Sequence, residues 1–329
     1  MGQVQRRRFL LSASAFLVAP FAAEAQQAGK VWRVGVLRAA PDDAGFRQNF
    51  DPFKQALREL RFTEGTNLTF EYRVRPGKPE EILALANDLV RAKVDAILAV
   101  APAGVSAAAK ATTAIPIVAI DLESDPIANG FAANLARPGG NITGLFLDFP
   151  ELSGKWIQLL KEAVPKLARA AVLWDPATGP NLLKGAEAAG SSMRVQLLRL
   201  EARSPADFAR AFESAAMQKA EALLALSSPV FNSARKEIAE LAAKHRLPSM
   251  MPFPGFADDG GLMAYGPHLT SMFGQAGRVM AKVLQGARPG EIPIERPTRF
   301  ELAVNLKTAR VLGITIPQSV LVRADRVIE

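Results

Sequence analysis

The side chains best suited to binding a small molecule follow apolar runs of the sequence, at points where strands are expected to end. In the first half of the chain they are Arg38, Ala39, Ala101, Pro102, Ala103 and Asp121, and in the second half they are Asp175, Ser227, Ser228, Phe231, Phe253 and Tyr265. A guanidinium can pair with a carboxylate, a carboxylate can pair with an amine, and aromatic rings can form apolar walls. These residue types indicate a site for a small polar or amphipathic ligand.

Two short segments occupy corresponding places in the two halves of the chain. The small residues of Ala101–Gly104 predict a loop that lets a ligand approach backbone N–H groups at a helix N-terminus, which favours an anionic group such as a carboxylate. A tight turn without ligand contact is the alternative. In Ser227–Phe231, the hydroxyls of Ser227 and Ser228 either bind a polar edge of the ligand or cap the next helix.

The remaining candidates also have two interpretations each. Asp175 either pairs with a ligand amine or begins a turn at its Asp-Pro step, and Asp121 either has the same binding role or belongs to a hinge. Arg38 either pairs with a ligand carboxylate or is a surface charge. Phe253 and Tyr265 either form aromatic walls of the site or pack the hinge.

Residues for catalysis or metal binding are sparse. The first predicted strand is not followed by G-x-G-x-x-G, and the chain has neither a P-loop nor a G-x-S-x-G motif. It has no Cys, which excludes disulfides, thiolate metal sites and a cysteine nucleophile. His245 and His268 are far apart, without a carboxylate at helical spacing. We therefore predict no metal, no cofactor and no enzymatic activity, with a cleft hydrolase acting through Asp121 or Asp175 as the alternative.

The predicted elements bring the candidate residues together at the edges of two sheets. Asp95–Ile120 has the pattern of a buried strand, a loop, a helix and a second buried strand, and Glu221–Phe253 repeats it. Unbroken alternation of strands and helices predicts a parallel sheet covered by helices on both faces. Ligands of such sheets bind at the carboxyl ends of the strands. The repeat predicts an α/β fold with two similar Rossmann-like lobes.

The chain is expected to cross between these lobes more than once. The turn-rich stretch Asp121–Gly144 and the proline-rich return after the last long helix both have the character of crossovers. We predict a first lobe of residues 30–146 plus about 267–296, and a second lobe of residues 147–266 plus about 297–329. Multiple crossings would let the lobes hinge.

Residues 1–25 have the layout of a signal peptide. Arg6, Arg7 and Arg8 precede an apolar stretch, and the segment ends in Ala23-Glu24-Ala25. We expect cleavage after Ala25, export by the general secretory or the twin-arginine route, and a periplasmic mature protein that is not embedded in the membrane. The net charge of +8 includes no basic cluster beyond the leader, so nucleic-acid binding is not expected.

Short stretches along almost the whole mature chain resemble a known family. They are Arg33–Leu37 (RVGVL), Ile115–Val118 (IPIV), Ser124–Pro126 (SDP), Leu135–Gly144 (LARPGGNITG), Gly154–Leu160 (GKWIQLL), Arg246–Pro248 (RLP), Gly261–Gly266 (GLMAYG) and Pro297–Lys307 (PTRFELAVNLK). In them the chain resembles periplasmic substrate-binding proteins of ABC transporters, in the branch similar to the tryptophan/tyrosine transporter binding component. LARPGGNITG is the most specific of these stretches.

The resemblance implies a type I periplasmic-binding-protein fold, in which two lobes joined by a multi-strand hinge trap a ligand. It implies an exported receptor, expected to be monomeric, that delivers a small molecule to an ABC transporter permease in the inner membrane. An amino acid, aromatic or branched, is the ligand that it favours, and purine- or carboxylate-like solutes stay open. A ligand sensor for a membrane signalling protein is a further alternative. The family often has Ser or Thr near Ala101 and an uncharged residue at Arg38, so this chain departs from it at both positions.

Overall fold

The computed structural model describes residues 29–147 and 150–329, so the predicted signal peptide lies outside the described residues. The strands are β1 (Trp32–Arg38), β2 (Leu68–Val74), β3 (Ala96–Val100), β4 (Ile117–Asp121), β5 (Ile142–Phe146), β6 (Arg169–Trp174), β7 (Gln196–Glu201), β8 (Ala222–Ala225), β9 (Ser249–Met251), β10 (Met263–Pro267), β11 (Phe300–Asn305) and β12 (Arg326–Ile328). The α-helices are α1 (Ala44–Glu59), α2 (Pro79–Arg91), α3 (Ala101–Ala111), α4 (Pro150–Ala163), α5 (Asn181–Ser192), α6 (Phe208–Met217), α7 (Pro229–Ser233), α8 (Arg235–Lys244), α9 (Gly255–Asp258), α10 (Leu269–Leu284), α11 (Leu306–Leu312) and α12 (Gln318–Leu321). Short 3-10 helices lie at Pro176–Thr178, Pro205–Asp207 and Pro289–Glu291.

The strands form two sheets, one in each lobe. The first has the order β2-β1-β3-β4-β5 and is parallel throughout. The second has the order β12-β11-β10-β9-β8-β6-β7, and within it β10 and β11 pair antiparallel while the other neighbours are parallel. This architecture confirms the predicted α/β fold with two parallel-sheet lobes.

Helices cover both faces of the first sheet, as its continuous apolar strands predict. Val36, Leu98 and Val118 belong to the buried cluster that includes the apolar faces of α1 and α10. Ile97 and Ala119, from the same strands, belong to the cluster that includes α2 and α3. Successive residues of a strand point to opposite faces, so each strand supplies both cores.

Helix α10 follows β10 in the chain but packs in the first lobe, against α1. Gly277 permits the close approach of the two helices, because a Cβ atom there would lie 2.6 Å from the Phe53 carbonyl oxygen. Phe46 and Phe50 of α1 stack with their ring centroids 5.6 Å apart, and the Phe46 ring lies 6.0 Å from that of Phe273 on α10. The chain then returns along β5, where Glu295 N donates to Gly144 O at 2.8 Å.

The chain therefore passes between the lobes after β5, after β10 and before β11. The indole nitrogen of Trp156 donates to the Tyr265 carbonyl oxygen at 2.7 Å, which ties α4 to the end of β10. Among the described helices, none combines the length and apolar character that crossing a bilayer requires.

Candidate ligand-binding site

A cavity of about 60 Å³ is lined by residues of both lobes. The first lobe contributes Arg38, Phe46, Asn49, Val100, Ala101, Ile120, Leu122, Glu123, Leu269 and Phe273, and the second contributes Pro229, Asn232 and Phe253. Most of this wall is apolar, and Arg38 and Glu123 supply its two charged groups. Such a mixture suits an amphipathic molecule with charged ends.

Arg38 forms one charged end of the cavity. It is the last residue of β1 and only 5% exposed, so the interpretation as a surface charge is wrong. Its guanidinium donates to the Pro41 carbonyl oxygen, lies 3.7 Å from Asp43 Oδ2 and sits 4.7 Å from the centre of the Phe46 ring. Burial lowers the pKa of Arg38, and the negative charge of Asp43 opposes that shift. Arginine stays protonated in proteins, so this end carries a paired positive charge.

A serine of the second lobe contacts this same pair. Ser233 Oγ donates to Asp43 Oδ2 at 2.5 Å and lies 3.5 Å from Arg38 Nη2. Asp43 also caps α1 by accepting a hydrogen bond of 2.7 Å from Phe46 N. The carboxylate is thus held by three groups, and one of them crosses between the lobes.

Glu123 forms the other charged end. It lies in the segment after β4, is buried, and accepts a hydrogen bond from the Ser227 hydroxyl across the lobes. Leu122 N also donates to Glu123 Oε2 at 3.2 Å. The sequence places Glu123 in the turn-rich segment Asp121–Gly144, where Asp121, at the end of the same strand, is the predicted binding residue. Glu123 itself is not among the predicted binding residues.

Asp121 lies directly behind Glu123. Its Oδ1 accepts from Glu123 N at 3.1 Å and from Ser124 N at 3.0 Å, as expected of a residue that shapes a turn. Its Oδ2 is buried without a hydrogen-bond partner in the part of the chain that the structure describes. Burial raises the pKa of Asp121 to about 6, although the Ser124 side chain and the two N–H groups counteract it.

Glu123 has a pKa that is shifted further, to about 8. Burial is the main cause, and the charges of Asp121 and Asp175 add to it, while the Ser227 hydrogen bond opposes it. An acid with a pKa of about 8 is mostly protonated at pH 7. The Glu123 side chain is therefore mostly uncharged under conditions where Arg38 is charged.

Asp175 and Ser228 lie near Glu123 on the second lobe, but neither they nor Asp121 and Ser227 line the cavity. Asp175 Oδ1 accepts from Ala177 N at 2.9 Å, and its Oδ2 accepts from Ser228 Oγ at 2.7 Å. Ser228 Oγ in turn accepts from Val230 N at 3.1 Å and caps α7. Burial raises the pKa of Asp175 as well. The turn and cap interpretations of these two residues are correct, and both side chains remain beside Ser227.

The expected loop at Ala101–Gly104 is wrong, because α3 begins at Ala101 itself. Ala101 lines the cavity with a φ of +66°, a left-handed conformation that costs a residue with a side chain about 1–3 kcal/mol. Pro102 and Ala103 line a wider groove of about 670 Å³, which also has Glu123 on its wall. Gly104 lets α3 approach β1, since a Cβ there would lie 3.1 Å from the Leu37 carbonyl oxygen.

The other predicted residues fall in different places. Phe253 lines the cavity. Phe231 is fully buried in the second lobe, with its ring centroid 5.8 Å from that of Phe208. Tyr265 lies on β10 with its ring against a neighbouring phenylalanine, and Ala39 packs against the buried cluster of α2 and α3. The structure thus places Phe231, Tyr265 and Ala39 in packing contacts rather than on the cavity wall.

The lining residues that sequence analysis missed come mostly from helices. Phe46 and Asn49 lie on α1, and Leu269 and Phe273 lie on α10. The helical period of the phenylalanines predicts a core face, and a core face is where Phe46 belongs. The apolar face of α1 reaches the cavity because α10, which is far away in the sequence, packs beside it.

The protein has two lobes with parallel sheets, and the chain passes between them three times. The cavity between the lobes has an ionisable side chain at each end. This architecture is that of a solute-binding protein of the type I periplasmic-binding-protein fold. The family model described as ABC transporter substrate binding protein matches residues 34–328. The chain belongs to this family, whose members are solute-binding proteins rather than enzymes.

Individual relatives agree with this assignment. The chain is 22% identical over 264 residues to the "Tyrosine-binding protein" of Clostridioides difficile (strain R20291). The matched region covers 80% of this chain and 75% of that protein. The crystal structure of a conserved domain protein from Vibrio cholerae O1 biovar El Tor is similar with a TM-score of 0.83 and 25% identity, over 91% of this chain and 100% of that one. An ABC domain from Streptococcus pneumonia, crystallised in complex with L-Trp, has a TM-score of 0.82 and 20% identity over the same shares.

Proposed function

We propose that the protein is an exported, monomeric receptor of an ABC importer that binds an amino acid, aromatic or branched, between its lobes and delivers it to a membrane permease. The observation that carries this proposal is the cavity between the lobes, with an apolar wall that includes Phe46, Phe253 and Phe273 and a charged group at each end. An amino acid with a large apolar side chain has the matching distribution of groups. The names of the relatives that bind tyrosine and L-Trp support the same class of ligand.

We expect the lobes to separate further when a ligand binds, because residues of both lobes line a cavity of only about 60 Å³. Opening would break the Ser227–Glu123 and Ser233–Asp43 hydrogen bonds, which join the lobes at the two ends of the cavity. Each such hydrogen bond contributes about 1 kcal/mol net, so the lobes can separate at low cost. Closure on a ligand by hinge motion is the expected mode of binding.

The proposed hinge motion requires boundaries between the two lobes. We propose residues 30–146 plus about 267–296 for the first lobe, and residues 147–266 plus about 297–329 for the second. The packing of α10 on α1 supports the first assignment, and the pairing of β11 with β10 supports the second. A periplasmic location is proposed from the leader sequence alone.

A hydrolase in the same cleft has weaker support. Asp121 and Asp175 each use one carboxylate oxygen to hold backbone N–H groups of their own turn. Neither carboxylate is paired with a histidine or a lysine in the described part of the chain, as a nucleophile or base is in many hydrolases. We therefore propose binding without turnover.

The test is a thermal-shift and calorimetric screen of the purified mature protein against L-tryptophan, L-tyrosine, L-phenylalanine, L-leucine, L-isoleucine and L-valine, with adenine and citrate as other solute classes. A ligand at 100 times its Kd adds about 2.7 kcal/mol to the free energy of unfolding, so the correct amino acid should raise Tm by several degrees. A shift by adenine or citrate alone would refute the amino-acid assignment. Steady product release would favour the hydrolase.

A further inference from the structure

We propose that Glu123 binds the ammonium group of the ligand and thereby restricts the receptor to molecules that carry a protonated amine. The inference rests on the proposed function, because it concerns the ligand of the same cleft. It assigns a specificity-determining role to a residue that the sequence pattern did not single out. Position, charge balance and hydrogen bonding each support it.

The position of Glu123 exposes it to a ligand from two sides. Its side chain lines the cavity between the lobes and also the wider groove next to it. Among the described residues that line the cavity, it is the only carboxylate. A ligand that enters through the groove and settles in the cavity would contact this side chain at both stages.

The charge balance differs between the two ends of the cavity. Arg38 already has its counterion in Asp43, at 3.7 Å. Two further carboxyl groups, those of Asp121 and Asp175, lie near Glu123. Within residues 29–147 and 150–329, these three acids form no ion pair with a lysine, arginine or histidine. Arg203 lowers the pKa of Asp175 from a distance and Glu201 raises it, so this surface pair adds no net charge. The described residues therefore offer this group of acids no paired cation, in contrast to Arg38 and Asp43.

A neighbouring buried acid adds to the demand for positive charge at this end, although Asp121 itself does not line the cavity. Asp121 Oδ2 is buried beside Glu123 and, within the described chain, accepts no hydrogen bond. A buried carboxylate without a partner is costly, so such groups either keep a proton or take a cation. An ammonium group has three N–H donors, which is enough for Glu123 and for a neighbouring acceptor.

The hydrogen bond from Ser227 allows Glu123 to change its proton state in place. The Ser227 hydroxyl donates to Glu123 Oε1, and Leu122 N lies at Oε2. Because burial and the neighbouring acids raise the pKa of Glu123 to about 8, the carboxyl group is protonated near pH 7 in the absence of an external cation. When an ammonium group binds, the carboxyl O–H bond breaks, the carboxylate remains in the ion pair, and one proton passes to the solvent.

The experiment compares amino acids with analogues that lack only the amine. The pairs are L-tryptophan and 3-indolepropionate, L-tyrosine and 3-(4-hydroxyphenyl)propionate, and L-leucine and 4-methylpentanoate. Affinities are measured by titration calorimetry at pH 7 in phosphate and in Tris, whose ionisation enthalpies differ, so that proton release is read directly. We expect the amino acid to bind at least about tenfold more tightly than its partner, with release of close to one proton.

Glu123→Gln keeps the hydrogen-bonding shape of the side chain but cannot carry the negative charge. It should reduce the amino acid's affinity by about tenfold or more, abolish proton release and leave the affinity for the amine-free analogue unchanged. Glu213→Gln, on the exposed face of α6, is the matched control and should behave as the unmodified protein does.

The outcomes separate the two proposals. If an amino acid and its amine-free analogue bind the unmodified protein equally well, without proton release, Glu123 does not select the amine and the receptor proposal stands. If no member of any pair binds, the amino-acid assignment fails and the role of Glu123 fails with it. Proton release by the unmodified protein needs no variant, so misfolding of Glu123→Gln would not obscure the result.

Discussion

The two ends of the cavity are built alike but carry charge differently. Arg38 ends β1 and Glu123 follows β4, and each end has a carboxylate that accepts a hydrogen bond from a serine of the opposite lobe. At the Arg38 end the carboxylate belongs to Asp43 and has a guanidinium beside it, whereas at the Glu123 end the nearby groups are acids. A buried charge with a partner has a fixed protonation state, while a buried acid among acids responds to pH and to ligand cations.

The largest expected effect comes from removing the fixed charge. Arg38→Met keeps the length of the side chain but removes the hydrogen bond to the Pro41 carbonyl oxygen and leaves Asp43, whose side chain is 28% exposed, without its counterion. Because one partner is only partly buried, the cost should lie at the lower end of the range for buried pairs, at about 3 kcal/mol. Urea denaturation at pH 7 measures the loss, and amino-acid binding should weaken by at least tenfold. A variant as stable as the unmodified protein would show that the two ends do not differ in this way.

The strands and several residues at the two ends of the cavity could be predicted from the sequence. Apolar runs marked the strands, and Arg38, Ala101 and Asp121 were recognised because they follow such runs. These signals are local, so they were visible without the fold. The short β12 was missed because three residues of strand carry too little pattern, and its pairing with β11 depends on the rest of the sheet.

What the sequence could not show is which polar residues become buried. Glu123 is enclosed because Ser227, 104 residues later, packs against it from the other lobe. Arg38 is enclosed partly by Ser233, 195 residues later. Phe231 follows the two serines and was expected beside them, but the start of α7 turns it into the core of the second lobe. Each outcome depends on long-range packing, which local residue patterns do not encode.

The next effect is a decline of stability with rising pH. Burial raises the pKa of Glu123 from 4.5 to about 8 and that of Asp121 from 3.8 to about 6. Between these values the folded protein binds more protons than the unfolded chain, so its free energy of unfolding falls as pH rises through that window. Without added ligand, we expect a loss of at least about 2 kcal/mol between pH 5 and pH 9 in urea titrations, with about 1.4 kcal/mol per pKa unit as the upper bound.

Glu123→Gln should remove most of this pH dependence, because the amide does not titrate. Arg38→Met should leave the dependence in place while lowering stability at every pH. If the two variants show the same pH profile, the ends of the cavity are electrostatically equivalent and the comparison fails.

A smaller effect is expected from Asp121→Asn. The amide oxygen can still accept from Glu123 N and Ser124 N, while the charge behind Glu123 disappears. Since Asp121 helps to raise the pKa of Glu123, the variant should titrate Glu123 at lower pH and be about 1 kcal/mol more stable than the unmodified protein at pH 9. Carboxyl NMR titration and urea denaturation both check this, and an unchanged pKa of Glu123 would contradict it.

The smallest effects distinguish the two serines that join the lobes. Ser233→Ala and Ser227→Ala each remove one hydrogen bond to a carboxyl group, worth about 1 kcal/mol. The guanidinium beside the Ser233 hydrogen bond keeps its charge over this range, so the cost of Ser233→Ala should be the same at pH 5.5 and pH 9. Ser227→Ala should cost more at pH 9, where Glu123 is ionised and accepts a stronger hydrogen bond. Equal pH dependence of the two costs would argue against the assigned proton states.

The central claim is tested most directly by a crystal structure of the mature protein with the best-binding amino acid of the screen. We expect the ligand between the lobes, with its ammonium nitrogen within about 3 Å of a Glu123 carboxylate oxygen and its carboxylate toward Arg38 and the N-terminus of α3. A ligand bound outside this cavity, or bound with its amine facing Arg38, would contradict it.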